Sequence, residues 1–199
     1  TLKDGTKIFF TAEDFRKIVL VYQKAINYTI DIYNNIIKNC GRNIDFEMSI
    51  DETLTPTSAE SHYFVAAELI SGGVIITSLA PRFCGEFQKG IDYKGDIAQF
   101  TREFDKHVRI ANHFGYKISV HSGSDKFSVF PIVGEKTEGK YHLKTAGTNW
   151  LEAVRIIADK NQSLYRRMHK FAVEHLHEAK KYYHISADLA RVPDIDNMK

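Results

Sequence analysis

The chain has 199 residues, of which 43% are hydrophobic and 26% charged, with a formal net charge of +2. This is the composition of an ordinary globular domain with enough chain for a substantial core. It offers no basic surface for nucleic acid or anionic lipid, and no apolar run nears the roughly 20 residues of a bilayer span. The two cysteines, Cys40 and Cys84, stand in no metal or redox spacing. They are expected as idle thiols in a reducing cytoplasm, a disulfide between them being the alternative. The chain opens on Thr1 rather than Met, so an upstream segment is expected.

In chain order, "TAEDFRKIVLVYQKAINYTIDIYNNIIKNCG" carries apolar residues at Phe15, Ile18, Val19, Tyr22, Ile26, Ile30, Tyr33 and Ile37. That three-and-four spacing predicts an amphipathic helix, with Thr11 as N-cap and Gly41 as stop. "IDFEMSIDE" alternates with period two and predicts a strand from about Asp45 to Asp51. Thr57 and Glu60 fit a capping box for the next helix, which Gly72-Gly73 ends. "VIITSLAP" predicts a buried strand closed by Pro81. "RFCGEFQKGIDYKG" reads as a loop before a helix from Asp96 to Phe114, striped by Phe100, Phe104, Val108 and Ala111. A strand from Lys117 to Ser122 follows, then the long loop "GSDKFSVFPIVGEKTEG" and the strand "KYHLKTAG". Asn149 caps a helical region from Trp150 onward, broken between Asp159 and Asn161, and "YYHISAD" predicts a fifth strand.

Strands alternating with helices imply parallel pairing in one α/β unit spanning residues 1–199. Buried strands of an open doubly wound sheet read as continuous apolar runs, and here only "VIITSLA" does. The others place Glu47, Ser49 and Asp51, then Lys117, Ser119 and His121, then Lys140, His142 and Lys144, then His184, Ser186 and Asp188, on one face each. Polar faces that cannot meet water can converge inside a parallel (β/α) barrel, TIM-like, whose reaction site lies at the C-terminal ends of the strands. Five strands fall short of a complete barrel of about 250 residues, so a partial barrel is expected, completed by missing chain segments, by other copies in a homo-oligomer, or not at all.

His121 ends a strand on its polar face, as either a metal ligand or acid/base group, or a core histidine bonded to a neighbour. Glu47, Asp51 and Glu52 are placed to serve as a general base or oxygen ligands, or else to cap the following loop. His142 and His184 lie on polar faces, where imidazole suits divalent zinc, nickel or iron. Lys126 and Lys144 can bind a carboxylate or polarise a carbonyl; buried ion pairing is the alternative. His62, His107, His113, His169, His175 and His177 fall in helices and are expected at surfaces or interfaces. No phosphate loop or dinucleotide fingerprint is present.

The strings "SIDETLTPTSAESHYFVAAEL", "TSLAPRFCGEFQKGIDYKGD", "YKISVHSGSDKFSVFPI", "HLKTAGTNWLEAVRIIA" and "YHISADLARVP" occur in this order. Together they resemble the tagaturonate/fructuronate epimerase family, whose members are longer at both ends. The chain therefore resembles an internal or C-terminal portion of such a protein. The resemblance implies a cytoplasmic barrel isomerase that inverts C4 of a keto-hexuronate with a divalent metal ion (zinc, nickel, manganese or iron). A related metal-dependent sugar isomerase or aldolase, or a non-catalytic sugar-acid-binding fragment, is the alternative. Carried over by the matching strings, Asp51 and Glu52 would hold the acid/base role, and His121, His142 and Glu47 the metal. Ser122, Asp125, Lys126, Lys144 and Arg82 would contact the substrate.

Overall fold

The computed structural model describes residues 1–145, 147–182 and 185–195. Helix α1 (Ala12–Asn35) starts where Thr11 accepts a hydrogen bond from the Asp14 amide, as its capping position predicts. It buries Ile18, Tyr22, Ile26 and Tyr33 along one stripe. Four strands follow in turn: β1 (Glu47–Ile50), β2 (Ser78–Pro81), β3 (Lys117–Val120) and β4 (Tyr141–Leu143). They pair in parallel in the order β1-β2-β3-β4, so each strand lies beside its successor. The crossovers are α2 (Ala59–Ser71), α3 (Ile97–Phe114) and α4 (Phe130–Lys136). Beyond β4 come α5 (Trp150–Lys160) and α6 (Gln162–Ala179), separated at Asn161, whose side chain caps α6.

The strands divide by face as their alternation demands. Met48, Ile50, Leu79, Ile118 and Val120 are buried in one core with Val65 and Leu69 of α2 and Phe100, Phe104 and Val108 of α3. The opposite face carries Glu47, Ser49, Ser78, Ser119 and His142, kept in line by the pairings of Glu47 with Ser78 and of Ser119 with His142.

Several expectations are corrected. The sheet has four strands among the described residues, not five, and residues 185–188 form no strand. Tyr183 and His184 lie outside the described residues. The α/β class and parallel pairing hold, and among the described residues the sheet is open, with β1 and β4 at its edges. The expected long loop contains α4, a short helix with Pro131 in its first turn, where a missing N–H costs nothing. The cap of α2 is Ser58, not Thr57. Thr57 is buried, and its hydroxyl accepts from the Arg82 amide at 2.9 Å while its own amide donates to the Arg82 carbonyl.

His62 and His107 are core residues rather than surface ones. The Tyr116 hydroxyl lies 2.7 Å from His62 Nε2, and His62 Nδ1 lies 2.9 Å from His107 Nδ1. One proton order satisfies this line: Tyr116 donates to His62, His62 to His107, and His107 to the Thr57 carbonyl. Burial lowers both imidazole pKa values, that of His107 to about 4, and raises that of Tyr116, so all three groups stay neutral.

Candidate functional site

The polar strand face gathers its charge at His121, just past the end of β3. His121 Nδ1 donates to Asp51 Oδ2 at 2.8 Å and Nε2 donates to Glu47 Oε1 at 2.7 Å. A carboxylate at each nitrogen favours the doubly protonated ring. Burial alone would lower its pKa; the hydrogen bonds and charge of Asp51 and Glu47 outweigh that and raise it. The same contacts act in reverse on the acids. Burial would raise Glu47, but hydrogen bonds from Ser78, His121, Ser119 and His142 hold it at about 2. Asp51 is lowered against burial by His121 and by the Ser49 hydroxyl, which donates to it.

Glu47 Oε2 is engaged as fully as Oε1: it accepts from Ser78 Oγ at 2.5 Å and lies 2.6 Å from His142 Nδ1, which is also 3.0 Å from Ser119 Oγ. The cluster thus follows from strand register. Alternate residues of β1, β3 and β4 point the same way, and parallel pairing sets them side by side.

His121, Asp51 and Ser122 open onto a cavity of about 440 Å³, which Glu52, Arg82, Phe83, Phe87, Gln88 and Lys89 also line. The Arg82 guanidinium, at the end of β2, donates through Nη1 to the Thr53 carbonyl. The loop after β2 is built as a wall. Its Glu86 and Lys94 exchange backbone hydrogen bonds, and Phe83, Phe87 and Tyr93 pack on Phe100 of α3.

Of the residues singled out from sequence, Asp51, Glu52, Arg82, His121 and Ser122 share this cavity. Glu47 and His142 join it through their bonds to the cluster. Lys144 is exposed, near enough for its charge to oppose protonation of His121. Asp125 sits at φ +61°, with a buried Oδ2 that has no hydrogen-bond partner among the described residues. Lys126 stands apart from the cavity: it is fully buried, and its ammonium donates to backbone carbonyls. Gln88, Lys89 and the two phenylalanines are lining residues that sequence reasoning missed, because "FCGEFQKG" has no periodicity to mark it. Its place within a string matching the family was the available signal.

Glu47, His121 and His142 are a nitrogen and oxygen donor set of the kind that suits a borderline divalent cation. In this arrangement protons join them: Glu47 spends one oxygen on each imidazole, and Asp51 takes the other nitrogen of His121. Among the described residues, no three such side chains surround a common point. The donors fit a metal in type, a cation taking the place of shared protons.

The model of the tagaturonate epimerase family matches residues 1–199. The chain belongs to the tagaturonate epimerase family. It is 50% identical over 196 residues to the tagaturonate/fructuronate epimerase of Thermotoga maritima, covering 98% of this chain and 40% of that protein. Among solved structures it is similar to the fructuronate-tagaturonate epimerase UxaE of Cohnella laeviribosi, with one glycerol bound, at TM-score 0.94 and 57% identity. That match covers 98% of this chain and 40% of the solved one. The native form of the same enzyme matches at TM-score 0.93 and 57% identity, over 96% of this chain and 39% of the other. The chain thus spans about two fifths of the length of these family members.

Proposed function

We propose that the protein carrying this chain interconverts D-tagaturonate and D-fructuronate, and that the cavity beside His121 receives the keto sugar acid. The observation that carries the reading is the Asp51–His121–Glu47 array opening on a cavity beside Arg82, within a chain of this family. The four strands would form part of a (β/α) barrel, their polar face turned inward and the cavity at their C-terminal ends.

The carbon inverted, C4 of a 2-ketose, is not adjacent to the carbonyl, so proton removal at C4 is unfavourable. Retro-aldol cleavage avoids this. A base takes the C4 hydroxyl proton, the C3–C4 bond breaks with its electron pair delocalising onto the C2 oxygen, and an aldehyde forms at C4. The aldehyde turns over and the bond re-forms on its other face, returning the proton to oxygen. Asp51 or Glu52 at the cavity moves the C4 hydroxyl proton. Arg82, with Lys89 at the same wall, holds the substrate carboxylate. A divalent cation held by Glu47, His121 and His142 would supply electrostatic stabilisation of the negative charge that develops at C2.

The test follows D-tagaturonate by NMR with the intact protein. Appearance of D-fructuronate, lost on Asp51→Asn with Glu52→Gln in a folded variant, supports the reading; no conversion by the wild type overturns it.

A further inference from the structure

Lys126 is among the largest side chains fully removed from water. Its Nζ donates to the carbonyls of Gln88 at 2.7 Å, Ile91 at 2.6 Å and Ser124 at 2.8 Å, so every ammonium proton is spent on backbone. Two of those acceptors belong to the loop after β2 and bracket Lys89 and Gly90; the third belongs to the loop after β3. The tie is reciprocated. Asp92, from the β2 loop, accepts from both the amide and the hydroxyl of Ser128, two residues after Lys126 in the β3 loop. A cation of one loop thus grips the other's carbonyls, and an anion of the second loop grips the first's donors. These loops supply Gln88 and Lys89 on one side of the cavity and His121 and Ser122 on the other.

We propose that Lys126 is a positioning residue: with Asp92 it forms a charged clasp that fixes the Gln88–Lys89 wall at its distance from His121, and so sets the affinity of the cavity for the sugar acid. The assignment rests on the epimerase reading for its substrate, but not for the clasp itself. An uncharged side chain of the same length takes the Lys126 donor from these carbonyls, two of them met in buried contacts, and frees the wall to move. Contacts made equally to substrate and transition state are then weakened, which raises KM and leaves kcat nearly unchanged.

The experiment compares wild type, Lys126→Met and Asp92→Asn in the intact protein, measuring KM and kcat for D-tagaturonate and amide exchange across residues 86–92. Lys126→Met is expected to raise KM about tenfold with kcat within about twofold, and to speed exchange in that segment; Asp92→Asn, an exposed change that keeps the core intact, should raise KM about threefold. If Lys126→Met does not fold, Asp92→Asn decides alone. An unchanged KM in the folded variants, or kcat falling at constant KM, overturns the proposal. If the wild type does not turn over D-tagaturonate, the epimerase reading fails, and exchange in residues 86–92 still decides the clasp: faster exchange supports it, unchanged exchange refutes it.

Discussion

The buried imidazole pair predicts a specific acid sensitivity. His107 is held near pKa 4 by burial, against about 6.5 for an exposed histidine. The unfolded chain therefore binds a proton there that the folded chain refuses. Stability from this group is complete above about pH 6.5 and is lost as the pH falls toward about 4, where the folded form begins to protonate as well. The difference of about 2.5 pH units corresponds to a loss of about 3–4 kcal/mol in the acid limit, most of it reached by about pH 4.5. His62 is lowered in the same direction and adds to the loss. His121 works oppositely. Its raised pKa contributes stability that is present at low pH and lost as the pH rises, so total stability alone would blur the effect. The comparison that isolates it is urea unfolding of wild type and His107→Phe at several pH values from about 7 to about 4.5. The carboxylates held low, Glu47 at about 2 and Asp51 below its usual value, are common to both proteins and cancel in the difference. The stability gap should shift by about 2 kcal/mol in favour of the variant as the pH falls. A gap that stays constant across this range would refute the neutral-pair account.

Two further outcomes are expected. Chelation should abolish D-tagaturonate turnover and readdition of a divalent ion should restore it, whereas Glu47→Gln should weaken metal retention in a direct metal analysis at least tenfold, as loss of a charged ligand does; turnover that survives exhaustive chelation would exclude the metal. Gly85 holds φ +74°, and a Cβ there would press on the Tyr93 hydroxyl and ring. Gly85→Ala should therefore cost about 1–3 kcal/mol in thermal or urea unfolding; a change below about 0.5 kcal/mol would show that the loop wall gives way freely.

Much of the candidate site was legible because alternation has a single structural meaning. Glu47, Ser49 and Asp51 had to share a face if "EMSID" was a strand, and so did Ser119 and His121. Stripes likewise announced α1 and α3, and Thr11 was marked as the capping residue of α1. Local pattern also held a warning that was missed. His107 lies on the same α3 face as Phe104, Val108 and Ala111, and His62 on the α2 face of Val65, Ala66 and Leu69, so their spacing already marked them as interior.

What the residues determined by themselves was local: which segments turn into helix or strand, and which side of each is polar. Tertiary structure alone decided which polar group meets which. Asp51 and His121 stand 70 positions apart with no pattern between them that would pair them, and only parallel register sets an imidazole between two carboxylates. The same holds for Lys126, which read as a substrate cation from its neighbours in sequence. Its fate was settled by carbonyls 35 and 38 residues away, because a buried ammonium goes where acceptors are, and distant chain supplied them.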